Sequence, residues 1–177
     1  MTEDPIFRIA GAADAARLQP LVHGAYRGDS ARRGWTHEAD LLDGQRIDLE
    51  SLSAVIADPA QTVLLAEQGG SPVGCVQITD KGGGLAYLGM LSVEPSLQGS
   101  GLGRRLIEAA EAEARNRYGA RRMEMTVIVQ RTELIDWYVR RGYAPTGETR
   151  PFPATDPRFG LPRRDDLAFV VLARDLD

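Results

Sequence analysis

The sequence predicts an α+β fold with about seven strands and several helices. Short apolar runs of strand length are bounded by glycine and proline, and other segments repeat apolar residues at helical spacing. Two of the strands are separated by only a few turn residues, which is typical of an antiparallel hairpin. With 177 residues, 43% of them hydrophobic, we expect one core and a single domain over residues 1–177.

The first third of the chain predicts one strand and several helices. Ile6 to Ala10 is a short strand, and Asp14 can cap a helix that runs to about Arg27. A polar loop with a short helix around Thr36 to Leu42 follows. Asp48 can cap the next helix, which the Asp58-Pro59 pair stops.

In the middle of the chain, the spacing of apolar residues changes to that of β-strands. The runs "TVLLAEQ" and "PVGCVQITD", joined by "GGS", predict a hairpin, and Lys81 to Gly84 mark the next turn. Leu85 to Val93 is almost continuously apolar and ends before Pro95. We expect it to be a central strand covered on both faces.

The last part of the chain alternates helices and strands. A helix that ends near Tyr118 carries a narrow apolar face with small side chains, which suits close packing on a sheet. Arg121 to Val129 is a strand, "RTELIDWYVRRG" is a helix closed by Gly142, and "YAPTGE" begins another strand. "LAFVVLARDL" is the final strand, after a proline-rich loop. The predicted face of the helix before Tyr118 consists of Leu102, Leu106, Ala109, Ala110 and Ala114.

Composition excludes several classes of function. The formal net charge of -4 and the pI near 5.3 argue against binding to nucleic acid or to an anionic membrane. No segment is apolar over the roughly 20 residues of a membrane span, and the N-terminus lacks a targeting pattern, so we expect a cytoplasmic protein. Cys75 is the one cysteine, and His23 and His37 lie in unrelated contexts, so we expect no metal site.

The segment "SVEPSLQGSGLGRRLIEAAEAEA" places Gly99, Gly101 and Gly103 directly before a helix whose first turn carries Arg104 and Arg105. Glycine weakens helices, and cations are unfavourable at a helix N-terminus. The spacing fits neither the dinucleotide fingerprint GxGxxG nor the nucleoside-triphosphate loop GxxxxGK[ST]. A helix start with unobstructed amides suits a pyrophosphate, although the glycines could also serve only tight packing. Arg104 is the better ligand candidate, and Arg105 is expected to be a surface arginine paired with Glu108 or Glu111.

The stretch "VEPSLQGSGLGRRL" resembles the acetyl-CoA-binding signature of the GNAT acetyltransferase superfamily, V-x-P-x-x-[QR]-x-x-G-x-[GA]. The matching positions are Val93, Pro95, Gln98, Gly101 and Gly103. The order of predicted elements also looks like that of the family over nearly the whole chain. The resemblance implies the GNAT acyl-CoA N-acyltransferase fold, with α/β/α layers in which a mixed, mostly antiparallel sheet of about seven strands is flanked by about four helices. It also implies acetyl-CoA as co-substrate and no metal.

The resemblance also implies where acetyl-CoA binds. The amides between Gln98 and Arg104 would hold the pyrophosphate, and a bulged central strand would offer backbone groups to the pantetheine arm. The Leu91 amide would polarise the acetyl carbonyl. The cofactor residues implied in this way are Leu91, Ser92, Val93, Gln98, Gly99, Ser100, Gly101, Leu102, Gly103 and Arg104.

Tyr138 matches the family tyrosine that precedes a glycine-aromatic pair, here Gly142-Tyr143. In relatives its hydroxyl is the acid that returns a proton to the CoA thiolate. The alternative is a tyrosine that packs beside Leu134. The chain departs from the family where relatives often carry Asn and Ala, because Arg131 and Leu134 stand there, and Arg131 could instead reach a CoA phosphate.

The resemblance implies less detail about the acceptor than about acetyl-CoA. We expect acetyl transfer to a primary amine of a small molecule by direct attack in a ternary complex. A CoA-binding or sensing module and a protein or peptide N-acetyltransferase are the alternatives. Trp35 and Glu38 lie in the Gly28 to Asp48 segment, which covers the acceptor pocket in the family, and Pro157 to Asp166 is expected to form the opposite wall.

The base that receives the amine proton is not singled out by the sequence. The candidates are Glu38, Asp40, Asp80 and Glu124. Cys75 lies in an apolar run that looks buried, so it is not expected to act as a nucleophile. A homodimer is possible, with the final strand as a pairing edge.

Overall fold

The computed structural model describes residues 3–26, 42–43, 47–152, 161–162 and 166–176. The helices are α1 (Ala15–Tyr26), α2 (Leu49–Ala57), α3 (Leu102–Tyr118) and α4 (Thr132–Arg140). The strands are β1 (Ile6–Ile9), β2 (Leu42–Asp43), β3 (Gln61–Gln68), β4 (Ser71–Gly82), β5 (Leu85–Val93), β6 (Arg122–Ile128), β7 (Ala144–Pro151), β8 (Leu161–Pro162) and β9 (Ala168–Asp175).

Seven strands form one sheet in the order β1-β3-β4-β5-β6-β9-β7, with β5 at its centre. Strands β5 and β6 pair in parallel, and the other neighbours in this sheet pair antiparallel. The predicted mixed, mostly antiparallel seven-stranded sheet is therefore confirmed. The expectation that the final strand forms an edge was wrong, because β9 lies between β6 and β7, and β1 and β7 are the edges.

The sheet separates two apolar cores. Alternate residues of β3 and β4 point to opposite faces, as the strand period requires. One core contains buried residues of α3 and α4, with Val76 and Leu88 from the sheet. The other contains buried residues of α1 and α2, with Cys75 and Met90. The helices therefore form layers on both faces of the sheet.

Strand β5 is irregular beyond its midpoint. Cys75 pairs with Ser92 and Gln77 with Gly89, so three steps along β5 match two along β4, which is a β-bulge. Met90 lies in this bulge with a φ of 53°, a left-handed conformation that is uncommon for residues other than glycine. The bulge places Leu91 and Val93 against the α3 and α4 core.

Pairing between β5 and β6 covers only the first part of β5. The last parallel pair is Tyr87 with Glu124. The later backbone of β5 therefore has no register partner on β6. Burial alternates along β5, and the strand contributes to both cores, with Leu88 in one and Met90 in the other. The predicted central strand covered on both faces is therefore confirmed.

The helix starts were predicted with mixed success. Asp48 caps α2 as predicted, because its Oδ1 accepts a hydrogen bond of 2.6 Å from the Ser51 amide. Asp14 is not the α1 cap, because it ends a 3₁₀ turn and its Oδ2 accepts a bond of 2.7 Å from the Gly11 amide. The short helix predicted from Thr36 lies outside the described residues, and Leu42, its predicted end, belongs to β2.

Candidate functional site

A cavity of about 340 Å³ lies where β5 leaves β6. Its walls come from β5, the segment that starts α3, one face of α4, and the end of α1. Because α1 and α4 pack on opposite faces of the sheet, the cavity is lined from both faces. The lining residues are Ala25, Leu91, Val93, Gln98, Gly99, Gly101, Gly103, Arg104, Arg131, Leu134, Trp137, Tyr138 and Arg141.

The three glycines at the start of α3 have different physical reasons. Gly99 and Gly101 have φ values of 86° and 88°, which side chains other than glycine rarely adopt. Gly101 is the N-cap of α3. Gly103 is helical, and a Cβ there would lie 3.4 Å from the Trp137 ring. Backbone shape therefore requires the first two glycines, and the third lies where α4 packs against the helix start.

The first turn of α3 presents backbone amides. The first intrahelical bond runs from the Arg105 amide to the Gly101 carbonyl at 3.2 Å, so the amides of Leu102, Gly103 and Arg104 precede the helical ladder. Two amides earlier in the segment are used within it. Those of Gln98 and Ser100 donate to the Pro95 and Leu97 carbonyls. The amides of the first helical turn are thus the better anion donors.

The lining of the cavity carries arginines and, among the residues that the structure describes, no acidic side chain. Arg131 is buried, with 5% of its surface exposed. Arg141 lies with its guanidinium 4.8 Å from the centre of the Trp137 ring, and its Nε is buried without a hydrogen-bond partner. The cavity is therefore suited to an anion.

The two arginines at the start of α3 separate in space. Arg104 reaches the cavity, and its Nε lies 3.8 Å from Glu108 Oε1 in an exposed pair. Arg105 instead lies over the Phe7 ring at 5.1 Å. The expectation that Glu108 or Glu111 pairs with Arg105 was therefore wrong, since Glu108 faces Arg104 and Glu111 is bonded elsewhere.

Tyr138 stands at the centre of the α4 wall. It is buried and makes edge-to-face ring contacts with Trp137 and Tyr143, at 5.1 Å and 6.1 Å between ring centres. Leu134, one turn earlier, lines the same cavity. Tyr138 thus both packs in the core and borders the cavity.

A buried carboxylate connects the end of α4 to α3. Glu111 accepts hydrogen bonds from the Tyr143 hydroxyl and from Arg174 Nη1, each at 3.1 Å. Arg174 also donates to the Arg141 carbonyl at 3.0 Å. Burial raises the pKa of Tyr143, and the negative charge of Glu111 raises it further. The network holds the C-terminal end of α4 against α3 and β9.

The structure brings together eight of the predicted cofactor and catalytic residues in the cavity lining. They are Leu91, Val93, Gln98, Gly99, Gly101, Gly103, Arg104 and Tyr138. Three others are not in that lining. Ser92 is buried with its Oγ bonded to the Met90 carbonyl, Leu102 is in the core, and Ser100 is exposed in the loop.

The predicted acceptor residues Trp35 and Glu38 lie outside the described residues, as does the base candidate Asp40. The Asp80 carboxylate accepts a bond from the Gly82 amide and so stabilises a turn. Glu124 stands beside the opening, at the last β5–β6 pair, and is bonded to Arg150 at 3.1 Å. Burial raises the pKa of Cys75 to about 12, which keeps the thiol protonated and agrees with its expected inertness.

Trp137 and Arg141 were missed in the sequence as cavity residues. A signal for them exists in the helical period. Arg131, Leu134, Tyr138 and Arg141 recur at steps of three and four residues, which places them on one face of α4. Two arginines on the inward face of a helix are unusual, and that pattern could have indicated an anion site.

The described part of the chain lacks two further kinds of site. No cluster of three or more His, Cys, Asp or Glu side chains there could hold a metal ion. No helix described is both long and apolar enough to cross a bilayer.

Comparisons with known proteins agree with this geometry. Residues 25–143 match the model of the acetyltransferase (GNAT) family. A protein from Azospirillum brasilense named IAA acetyltransferase is 34% identical over 107 residues, which cover 60% of this chain and 67% of that protein.

Solved structures share the fold. The yncA protein of Salmonella typhimurium, solved with its cofactor acetyl-CoA, superposes with a TM-score of 0.71 and is 21% identical in sequence. The superposition covers 99% of this chain and 95% of the yncA chain. An IAA acetyltransferase from Bacillus cereus superposes with a TM-score of 0.69 at 15% identity, covering 97% of this chain and 99% of its own. The match over residues 25–143, which span the cavity walls from Ala25 to Arg141, means that this chain belongs to the GNAT family of acetyltransferases.

Proposed function

We propose that the protein transfers the acetyl group of acetyl-CoA to a primary amine of a small molecule, by direct attack in a ternary complex. One observation carries this proposal. A single cavity is bordered by the first turn of α3, by the part of β5 that lacks a partner on β6, and by Tyr138. An acyl-CoA needs three such features along its length. The first turn of α3 would be the anion site for the pyrophosphate, the open part of β5 would be the backbone edge for the pantetheine arm, and Tyr138 would be the group at the thioester.

The phosphate end of acetyl-CoA would bind at α3. The amides of Leu102, Gly103 and Arg104 point out of the first turn, where the helix dipole favours negative charge. The Arg104 side chain adds a positive charge at the same end of the cavity. The lining has no acidic side chain among the described residues, so nothing described in the wall repels a pyrophosphate.

The pantetheine arm would lie along β5. Beyond Tyr87 the backbone of β5 has no register partner on β6, so its amides and carbonyls can bond an extended amide-containing chain as another strand would. Leu91 and Val93 give this edge an apolar surface. In this arrangement the Leu91 amide would donate to the acetyl oxygen as negative charge develops on it.

The chemical step requires two proton transfers. The amine nitrogen attacks the acetyl carbon and forms the C–N bond, the C–S bond breaks, and the thiolate leaves. The amine loses a proton to a base or to water, and the Tyr138 hydroxyl returns a proton to the thiolate. The position of Tyr138 in the cavity wall supports this role.

The acceptor would enter on the α1 side. Ala25 lines the cavity one residue before α1 ends at Tyr26, and the predicted acceptor segment follows directly in the chain. The two segments expected to form opposite walls pair at β2 and β8, with Leu42 opposite Pro162 and Asp43 opposite Leu161. The name of the Azospirillum relative also gives a compound rather than a protein as the molecule acetylated.

Calorimetric titration with acetyl-CoA tests the cofactor site, using two isosteric substitutions. Asn and Asp both tolerate the left-handed conformation of Gly101 and differ in charge. We expect micromolar binding to the natural protein, a modest loss in Gly101→Asn, and a further loss of about 100-fold in Gly101→Asp, because a carboxylate would occupy the anion site. Equal affinity of the two variants would contradict the pyrophosphate assignment.

Turnover tests the catalytic part of the proposal. Tyr138→Phe should leave acetyl-CoA affinity nearly unchanged and lower turnover by about 100-fold. Unchanged turnover would make Tyr138 a packing residue. A panel of small amines and N-terminal peptides identifies the acceptor class. Activity on peptides alone would favour a protein acetyltransferase, and binding without any turnover would favour a sensing module.

A further inference from the structure

The cavity lining carries a third arginine besides Arg104 and Arg131, which is Arg141 at the C-terminal end of α4. Trp137 packs against Gly103 in the first turn of α3, where a Cβ would lie 3.4 Å from its ring. Arg141 lies one turn further along α4, over the indole. The Trp137–Arg141 pair is therefore next to the proposed pyrophosphate site and separate from its amides.

Arg141 is held in place but incompletely satisfied. Its carbonyl accepts a hydrogen bond from Arg174, and its own amide donates to the Tyr138 carbonyl at 2.9 Å, which fixes the backbone at the end of α4. Its guanidinium rests on Trp137 and borders the cavity, while Nε is covered by the protein and has no hydrogen-bond partner. A ligand in the cavity would reach the terminal nitrogens of the guanidinium, and a charge-assisted hydrogen bond there would offset the cost of the buried Nε.

The geometry points to the ligand group that fits. Guanidinium groups bind phosphate through two parallel hydrogen bonds, and stacking on an aromatic ring presents the fork in a defined plane. Acetyl-CoA carries one phosphate besides the pyrophosphate, on the 3′ position of its ribose. We propose that Arg141, oriented by Trp137, binds this 3′-phosphate and makes the enzyme selective for acetyl-CoA over its 3′-dephospho form. The inference rests on the proposed function, since it assigns a further contact to the same ligand.

Calorimetry with acetyl-CoA and 3′-dephospho-acetyl-CoA measures this selectivity as a ratio of two affinities. The natural protein should bind acetyl-CoA about 10- to 100-fold more tightly, the range of a charge-assisted hydrogen bond. In Arg141→Met the ratio should fall to about one, because the affinity for acetyl-CoA drops while that for the dephospho form stays nearly constant. Arg141→Lys keeps the charge without the fork and should give an intermediate ratio.

Arg140→Met is the matched control. Arg140 is the neighbouring arginine on α4, it is exposed, and it is not among the cavity residues. Its removal changes the net charge of the protein by the same amount, so long-range electrostatics affect both variants alike. The Arg140→Met ratio should equal that of the natural protein.

Several results would overturn the inference. A natural protein that binds both compounds equally has no 3′-phosphate site, although the proposed function would stand. A ratio retained in Arg141→Met would assign the phosphate to another residue, and an equal loss for both compounds would make Arg141 a packing residue. Failure of the natural protein to bind either compound would refute the proposed function together with this inference.

Discussion

Two groups of arginines in this protein have opposite surroundings. Beside the edge strand β1, Arg8 and Arg17 both contact Asp14 and Glu67, with nitrogen–oxygen distances from 2.5 to 3.2 Å. Arg104, Arg131 and Arg141 instead line the cavity, whose described lining includes no acidic side chain. The first group is neutralised by carboxylates of the protein, whereas the second borders the proposed ligand site.

The difference indicates how to separate structural from functional arginines. Removing a partner from the first group should change the free energy of unfolding and leave ligand affinity alone. Removing a cavity arginine should lower ligand affinity, because its positive charge borders the proposed anion site. Four predictions test this division.

The largest effect is expected at Glu111, the buried carboxylate that neutralises a further arginine, Arg174, beside the α4 wall. Glu111→Gln should lower the free energy of unfolding by roughly 3 kcal/mol, because the buried carboxylate accepts from both Tyr143 and Arg174. Urea denaturation measures this loss. Glu108→Gln, at an exposed position on the same helix, is the control. A loss of under 1 kcal/mol at Glu111 would mean that the network is not structural.

Arg131→Met tests the cavity class. We expect acetyl-CoA affinity to fall about 30-fold, because the substitution removes a positive charge from the cavity lining. Calorimetry measures this loss, and denaturation of the same preparations measures the free energy of unfolding. Unchanged affinity together with a large loss of stability would move Arg131 to the structural group.

Asp14→Asn tests the group of neutralised arginines, Arg8 and Arg17, and its effect on the free energy of unfolding should depend on pH. The hydrogen bonds from Arg8 hold the pKa of Asp14 well below its ordinary value of 3.8. The folded state therefore resists protonation, so its extra stability is complete above pH 3.8 and is lost as the pH falls from there towards the folded pKa. The substitution should cost roughly 1.5 kcal/mol at pH 7 and progressively less below pH 4.

Denaturation of Asp14→Asn at several pH values checks this, with the exposed Asp4→Asn as a control. Acetyl-CoA affinity should be the same in both variants. A cost of Asp14→Asn that did not shrink in acid would show that the charge of Asp14 is not what stabilises the fold.

The smallest effect is expected for Arg104→Gln. The Arg104 side chain is 60% exposed and already lies near Glu108, so solvent screens its attraction for a phosphate. Affinity should fall about threefold at low ionic strength, and the difference should vanish near 1 M salt. A loss of 30-fold would place Arg104 among the central ligands.

Local patterns predicted most of the elements. The hairpin of β3 and β4 follows from two apolar runs separated by glycines, and α2 begins at Asp48 as its capping chemistry requires. Asp14 shows the limit of this reasoning. It has the composition of a cap, but Arg8 and Glu67, which lie elsewhere in the chain, recruit it into an ion network.

The residues of the candidate site also differ in whether local sequence patterns could predict them. The glycine segment and Tyr138 could be named from the sequence, because their motif is short and ordered along the chain. Arg141 and Trp137 could not, since their importance depends on how α4 packs against the first turn of α3. Arg105 was given the wrong partner for the same reason, because Phe7 is nearly a hundred residues away in the chain.

The sequence by itself determined the elements, the left-handed glycines at positions 99 and 101, and the helix start that follows them, because these depend on interactions over a few residues. The tertiary structure decided the position of β9 inside the sheet, the opening between β5 and β6, and which arginines meet carboxylates. The physical reason is separation along the chain. Glu111 and Arg174 are 63 residues apart, and only the packed sheet brings them into contact while leaving the wall of the cavity without an acid among the described residues.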